Sequence, residues 1–302
     1  MAADPETDDA DEVRLRALGL ASYKVAKLQC DQATMLPGNK PMLVVNEIYL
    51  SLQGESAFAG LPCVFIRLTA CNLRCSYCDT AYAFAEGREM PVADARAEVL
   101  RLAEPFRAQS AGSGDPASRT GQLDTAGRVS ARQSLPLVEL TGGEPLLQKD
   151  SLPLMKALCD DGLTVLLETS GALDVAPVDP RVRRIMDLKC PSSGEAERNR
   201  LENLPRLKPT DEIKFVIGTR EDYEWAKAQI VRHRLDTLCP LLCSWVHPLA
   251  PEQQHPALKK APPGQTPITR QELAERIIAD ALPVRFQVQL HKVIWPAERR
   301  GV

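Results

Sequence analysis

The chain has 302 residues, 25% of them charged and 44% hydrophobic, which is the composition of a folded globular protein. Its formal charge is −3, but six acids and no base stand in the first twelve residues, and the rest holds 37 bases against 34 acids. That balance excludes the basic excess of a protein that binds duplex nucleic acid. No apolar run approaches the roughly 20 residues of a membrane helix, and the acidic start lacks the features of a signal peptide. We expect a soluble, cytoplasmic protein with no nucleic-acid or membrane partner.

Two segments of the chain have compositions that do not favour a packed core. Residues 1–42 are acidic, then mixed, and are predicted to be a flexible tail with one short helix over 12–27. Residues 107–135 are rich in Ser, Gly, Gln and Arg and contain no aromatic residue, which predicts a mobile insertion. The remainder is long enough for one catalytic domain over 43–302, interrupted by that insertion.

Short β-rich runs alternate with helical patterns along this domain. The alternation predicts an α/β fold with a mostly parallel sheet and right-handed crossovers. The predicted strands span 43–49, 63–68, 137–140, 164–168, 184–188, 212–217 and 284–290, and the predicted helices span 92–106, 150–161, 221–233 and 269–280.

Four of these strands are apolar on one face and repeatedly polar on the other. If the apolar face meets the helices, the polar face lines a concavity, as in a partial or modified (β/α) barrel. The alternative is a set of edge strands with one solvated face. The apolar positions are Val64, Ile66, Leu68, Val165, Leu167, Ile213, Phe215, Ile217, Phe286, Val288 and Leu290; the opposite positions are Phe65, Arg67, Glu168, Glu212, Lys214, Gln287, Gln289 and His291.

Three of the nine cysteines fall within eight residues, directly after the second predicted strand. Cys71, Cys75 and Cys78 therefore lie on a loop at the carboxyl end of a strand, where catalytic groups of β/α folds collect. Three thiolates can hold three irons of a 4Fe-4S cluster and leave the fourth iron open. The alternatives are a structural zinc site, which needs a fourth ligand from elsewhere, and buried thiols without a metal.

The cysteine pattern, followed by Thr141-Gly142-Gly143-Glu144-Pro145, resembles the radical S-adenosylmethionine superfamily. Further matches narrow the resemblance to the 7-carboxy-7-deazaguanine synthase family over about residues 43–296, apart from the insertion. The resemblance implies a carbon–nitrogen lyase that contracts the ring of 6-carboxy-5,6,7,8-tetrahydropterin with loss of ammonia, in the biosynthesis of queuosine and other 7-deazapurines. The matching segments are 51–55, 65–68, 78–80, 168–171, 187–194 and 289–292.

The same resemblance implies S-adenosylmethionine as cofactor, with its 5′-deoxyadenosyl radical, rather than a protein radical, doing the hydrogen abstraction. Gly142 and Gly143 would let the backbone approach the methionyl end, and Glu144 would accept from its ammonium. For Glu168 and Lys189, a structural ion pair is the open alternative. The implied cofactor contacts are Tyr77, Cys78, Asp79, Gly142, Gly143, Glu144, Glu168, Asp187, Leu188, Lys189 and Ser244.

For the pterin, the family pattern points to polar residues on the inner face and on the loop after the first strand. The planar fork of Arg67 suits the substrate carboxylate, and His291 has the alternative of a satisfied core histidine. The Thr80 hydroxyl is implied as a ligand of Mg²⁺, although a threonine after an aspartate is commonly a helix cap. The implied substrate contacts are Leu52, Gln53, Gly54, Glu55, Arg67, Thr141 and His291.

The resemblance also implies a homodimer and an external electron donor such as flavodoxin or ferredoxin. Some relatives end near the position of Pro296 and use the chain end at the substrate; this chain continues to Val302, so that contact is not carried over. Two rivals stay open: a glycyl-radical-activating enzyme of the same superfamily, and a non-catalytic iron–sulfur or zinc protein.

Overall fold

A computed structural model describes residues 40–112, 122–123, 129–130 and 135–302, with side chains for 40–107 and 135–302. The predicted helix over 12–27 and nearly all of the predicted tail lie outside the described residues. A helix runs to Gly112, six residues into the predicted insertion, and two short strands from that segment pair with each other. No helix in the described part of the chain has the length and apolarity to cross a membrane.

The structure has eleven strands and five α-helices in its described residues. The strands are β1 Met42–Leu52, β2 Pro62–Leu68, β3 Arg88–Pro91, β4 Gln122–Leu123, β5 Val129–Ser130, β6 Leu137–Gly142, β7 Val165–Thr169, β8 Arg183–Asp187, β9 Glu212–Ile217, β10 Leu241–Trp245 and β11 Arg285–Gln287. The helices are α1 Val92–Gly112, α2 Ser151–Asp160, α3 Arg220–His233, α4 Arg270–Ala279 and α5 His291–Ile294.

Nine strands form one open sheet in the order β11-β10-β9-β8-β7-β6-β2-β1-β3. All neighbours from β2 to β11 run parallel, whereas β1 pairs antiparallel with both β2 and β3. The predicted mostly parallel α/β fold is thus confirmed, as a partial rather than a closed barrel. Two strands of this sheet, β3 and β10, had no sequence prediction.

Capping residues set where the long helices of the second half begin. The Thr219 hydroxyl accepts from the backbone N–H of Asp222, and the Asp222 carboxylate accepts from the backbone N–H of Thr219, which fixes the start of α3. Thr269 accepts from the backbone N–H of Glu272 at the start of α4, as the spacing of these two residues predicts.

The outer face of the sheet packs against helices in two apolar cores. Ile66, Leu140 and Leu167 lie under α1 and α2, and Phe215 lies under α3 and α4. On the inner face, apolar side chains such as Phe65 and Leu166 fill the amino end, so the polar positions are left at the carboxyl end. The predicted division of β2, β7 and β9 into an apolar and a polar face is confirmed.

The prediction for the last strand is wrong. β11 ends at Gln287, and Leu290 already precedes α5, so Val288 and Leu290 do not continue an apolar face. Phe286 is 38% exposed, because β11 is the edge strand of the sheet. Besides its pairing with β10, the strand is held by side-chain amide bonds: Gln287 accepts from the backbone N–H of Ser56 at 3.0 Å and donates to its carbonyl at 2.6 Å.

Candidate active site

One cavity of about 220 Å³ opens at the carboxyl ends of the parallel strands. Loops after β1, β2, β6, β7 and β8 contribute to its wall, together with the segment around α5 and Val302 at the chain end. Most of the residues predicted for the site line it: Leu52, Gln53, Gly54, Glu55, Arg67, Cys71, Cys75, Tyr77, Cys78, Asp79, Thr80, Thr141, Gly142, Gly143, Glu168, Asp187, Lys189 and His291.

The cysteine loop is fixed to the loop after β8. The backbone N–H of Arg74 donates to the carboxylate of Glu195 at 2.7 Å, and that of Ser76 donates to the Ser193 carbonyl at 3.0 Å. These bonds hold the loop between Cys71 and Cys78 against the cavity.

Burial raises the pKa of the Cys75 thiol to about 11, against the opposing charge of Lys189. Burial likewise raises the pKa values of Cys71 and Cys78. The thiols are therefore protonated until a metal displaces their protons. No three His, Cys, Asp or Glu side chains of the described residues are grouped tightly enough to hold one metal ion. In a 4Fe-4S site each thiolate binds its own iron, so three thiols along one wall fit such a group.

Gly142 and Gly143 are required by a close approach of two backbones. A Cβ on Gly143 would stand 1.8 Å from the carbonyl oxygen of Ala70, and one on Gly142 would stand 2.3 Å from that of Leu68. Gly142 also has φ +121°, which favours glycine. The two glycines thus join the end of β6 to the start of the cysteine loop, a reason that the predicted approach to the cofactor did not include.

Glu144 does not reach the cavity, contrary to the predicted contact with an ammonium group. It is fully buried and accepts from the Thr169 hydroxyl at 2.9 Å, the Ser170 hydroxyl at 2.6 Å and the Leu146 backbone N–H at 3.1 Å. With its oxygens taken by these donors, Glu144 ties the glycine turn to the turn after β7.

Two other predicted cofactor contacts also lie behind the wall. Leu188 packs in the apolar core under α3 and is 1% exposed. The Ser244 hydroxyl, on a buried side chain of β10, donates to Glu55 at 2.5 Å. Position in a motif does not report the side from which a side chain approaches, so these two contacts stay predictions.

Two of the charged residues predicted to bind the cofactor, Lys189 and Glu168, are in ion pairs. Lys189 Nζ lies 2.6 Å from Asp187 Oδ2, while Glu168 pairs with Lys214 and accepts from the Thr141 hydroxyl at 2.9 Å. Burial works against the ionised form of Glu168, but the charge of Lys214 outweighs it and lowers the pKa of Glu168. Both residues therefore make the ion pairs that the structural alternative predicts.

The predicted substrate residues divide into a cationic and an anionic side. Arg67 donates from Nε to Glu47 at 2.7 Å and from Nη2 to the Tyr49 hydroxyl at 2.9 Å, which leaves other N–H groups for a ligand. On the anionic side, the Gln53 amide donates to Glu139 and accepts from the Glu55 backbone N–H at 3.2 Å. Burial raises the pKa of Glu139 well above its ordinary value.

Thr80 occupies the N-cap position of a short 3₁₀ helix, Ala81–Phe84, yet its side chain makes no capping hydrogen bond. Its hydroxyl lies 3.7 Å from the Cys78 sulfur and lines the cavity. The capping alternative is wrong for this residue. Asp79 beside it pairs with Lys292; burial opposes ionisation, but this lysine lowers the pKa of Asp79 below its usual range.

Sequence reasoning missed several residues of the cavity wall. Lys214 lies on the predicted inner face of its strand but is absent from the predicted site. Its face and its position in the strand are the signal that could have assigned it. Glu139 carried the same signal, two residues before Thr141. Gln289 and Lys292 belonged to a matching segment, whereas Val302 had no signal at all.

Comparison with known proteins supports the resemblance. The chain is 40% identical over 259 residues to the 7-carboxy-7-deazaguanine synthase of Koribacter versatilis, covering 85% of this chain and 99% of that one. It is 39% identical over 263 residues to the enzyme of that name from Chlorobaculum tepidum, covering 86% and 97%. The crystal structure of QueE from Escherichia coli shares the fold, with a TM-score of 0.55 and 21% identity over 83% of this chain and 95% of that one. No protein-family model matches. At such identity over nearly the whole length of both relatives, the chain belongs to the 7-carboxy-7-deazaguanine synthase family of radical S-adenosylmethionine enzymes.

Proposed function

We propose that this chain converts 6-carboxy-5,6,7,8-tetrahydropterin into 7-carboxy-7-deazaguanine and ammonia, as a step of queuosine or other 7-deazapurine biosynthesis. The observation that carries the proposal is the convergence, on one cavity, of three thiols, an arginine fork and a group of buried carboxyls. The 7-carboxy-7-deazaguanine synthases from Koribacter versatilis and Chlorobaculum tepidum support the choice of reaction.

Cys71, Cys75 and Cys78 would hold three irons of a 4Fe-4S cluster, and the open iron would take S-adenosylmethionine. When bound, the cluster and this cofactor would supply the radical chemistry for hydrogen abstraction from the substrate. The chain's own part would be to bind and orient: Lys189 would meet the cofactor carboxylate, and Glu168 would meet its hydroxyl or ammonium groups.

The remaining side chains fit a small anionic bicycle. The pterin carries a carboxylate at one end and has a 2-amino-4-oxo edge at the other. The free N–H groups of Arg67 would take the carboxylate, since Glu47 and Tyr49 hold the guanidinium in place. Glu55 and Gln53 would meet the amino and ring N–H donors of the other edge, and Thr141 and His291 would add polar contacts.

The Thr80 hydroxyl would bind Mg²⁺ together with the substrate and water. Mg²⁺ keeps several waters and takes few protein ligands, so a single hydroxyl is a sufficient protein contribution. Support comes from the Thr80 side chain itself, which faces the cavity and is not used as a helix cap.

The proposal includes a cytoplasmic homodimer and an electron donor of the flavodoxin or ferredoxin type. Reductive cleavage of a sulfonium consumes one electron, which must reach the cluster from outside the chain. The exposed apolar side chains of Phe286, Val293 and Ile294 are suited to an interface with a second copy.

The test is a turnover experiment under anaerobic conditions. The chain is reconstituted with iron and sulfide, reduced, and incubated with the carboxytetrahydropterin, S-adenosylmethionine and Mg²⁺. We expect a product lighter than the substrate by the mass of one ammonia, and none when S-adenosylmethionine is omitted. Cleavage of S-adenosylmethionine without this product would contradict the proposed substrate.

A further inference from the structure

Lys214 joins two parts of the cavity that the proposed function assigns to different molecules. Its ammonium pairs with Glu168 on β7, the residue proposed to face the cofactor. On the other side it lies 3.4 Å from Glu55, on the loop after β1, the residue proposed to face the pterin. The Lys214 side chain is only 5% exposed, so its ammonium is shielded from water, whereas Glu168 is 29% exposed.

A second contact holds Glu55 in this arrangement. Ser244 on β10 donates to Glu55 Oε1 at 2.5 Å, while Lys214 approaches Glu55 Oε2. Both oxygens of Glu55 thus have a partner from the sheet, and the loop after β1 is drawn across the cavity toward β9 and β10. Without the lysine, only the serine hydroxyl would hold this carboxyl.

Lys214 is surrounded by several carboxyl groups and is their main counter-ion. Glu139 on β6 and Asp187 on β8 face it together with Glu55 and Glu168, while Lys189 and His291 lie farther around the same cavity. Burial would lower the pKa of Lys214, but the charges of Glu168, Glu55 and Asp187 raise it well above its ordinary value. Lys214 therefore stays charged over the working range of pH, and it keeps Glu168 ionised.

We propose that Lys214 is a positioning residue that fixes the substrate-facing carboxyl of Glu55 relative to the cofactor-facing carboxylate of Glu168. The inference rests on the proposed function and deepens it. Because one ammonium contacts both groups, it sets the distance between the site of hydrogen abstraction on the pterin and the cofactor. Loss of this link would weaken ligand binding and let cofactor cleavage proceed without productive transfer.

The test compares Lys214→Met with Lys208→Met. Lys208 is the matched control, since it also pairs with an acid, Asp211, at the β8–β9 side of the sheet but outside the cavity. Calorimetry would measure the binding of 7-carboxy-7-deazaguanine to cluster-loaded protein without S-adenosylmethionine. Turnover would then give the ratio of 5′-deoxyadenosine released to product formed.

For Lys214→Met we expect product binding weaker by about tenfold and a higher ratio of 5′-deoxyadenosine to product. Loss of the lysine charge raises the pKa of Glu168, so S-adenosylmethionine should bind this variant more weakly at about pH 6 than at about pH 8. The wild type and Lys208→Met should show a smaller pH dependence, and Lys214→Arg should restore most of the binding.

Binding within about twofold of wild type, with the ratio and the pH profile unchanged, would overturn the proposal. Thermal unfolding of each variant reports whether it folds; if Lys214→Met does not, the same measurements on Lys214→Gln and Ser244→Ala decide. Ser244→Ala should weaken product binding but leave S-adenosylmethionine binding independent of pH. Failure of the wild type to form 7-carboxy-7-deazaguanine would contradict the proposed function instead, a result distinct from any Lys214 outcome.

Discussion

The two faces of the sheet use the same strands for different purposes. On β6, Leu140 points outward and is fully buried among the side chains under α1 and α2. Thr141, the next residue, points inward, lines the cavity and donates to Glu168. On β2, β6, β7 and β9 the outer face supplies the apolar core residues, whereas the inner face becomes polar toward the carboxyl end.

Neighbouring residues of one strand can therefore have different roles, one in the stability of the fold and the next in the chemistry of the site. Burial of the outer side chains, together with the apolar cluster around Phe65 and Leu166 on the inner face, stabilises the fold. The polar carboxyl end of the inner face can then hold charged groups that contribute little to packing. Substitutions on the two faces should therefore change different measured quantities, and the following variants test this from the largest expected effect on activity to the smallest.

Cys75→Ala should abolish cleavage of S-adenosylmethionine, because one iron of the cluster would lose its ligand. The matched control is Cys159→Ala, whose thiol packs at the margin of the outer core and does not line the cavity. Cleavage would be followed by chromatography of 5′-deoxyadenosine, with iron and sulfide measured on the same samples. Cleavage by Cys75→Ala at the wild-type rate would refute the cluster assignment.

Gly143→Ala should remove most of the activity by a different route. Its Cβ would meet the Ala70 carbonyl, so the start of the cysteine loop would have to shift, at a cost of about 1–3 kcal/mol. We expect reduced iron content and a lower unfolding temperature, both measured after reconstitution. In Gly218→Ala the new Cβ would make only an ordinary contact, 3.4 Å from Val246, and should leave the iron content unchanged. Equal iron in both variants would argue against the role given to the glycine turn.

Thr80→Ala should mainly reduce the dependence of turnover on Mg²⁺. Its hydroxyl makes no capping bond, so the unfolding temperature should stay close to that of the wild type. The measurement is the rate against Mg²⁺ concentration, with Thr80→Ser as the control that keeps the hydroxyl. An unchanged Mg²⁺ response in Thr80→Ala would show that this hydroxyl is not a ligand.

Much of the fold followed from patterns that act locally. The strands at 63–68 and 212–217 and the helices beginning at Arg220 and Arg270 were predicted to within about a residue, because alternation and capping are encoded nearby. β3 was missed, and the predicted span of β11 was too long. Both are edge strands, which are short and form only by pairing with a neighbouring strand. β10 is a buried strand whose apolar run carries no alternation.

The site was predicted as a set of residues but not as a set of contacts. The motifs and the polar faces of the strands together predicted most of the cavity-lining residues, because the carboxyl ends of parallel strands meet at one edge of the sheet. Partners distant in sequence were not predictable: Ser244 reaches Glu55 across 189 positions, and Glu144 turns away to Thr169 and Ser170. These contacts depend on which side of a turn a side chain leaves, which spacing does not encode.

The most direct test of the two-face account is a paired measurement on Leu140→Ala and Thr141→Val. For each variant, the free energy of unfolding and the kcat/KM of the folded, cluster-loaded protein are measured together. We predict that Leu140→Ala loses about 2–5 kcal/mol of stability with kcat/KM unchanged. Thr141→Val should instead lower kcat/KM by about tenfold with a stability change near 1 kcal/mol. If both variants lost stability and kcat/KM in the same proportion, the faces would not be separable and the account would be contradicted.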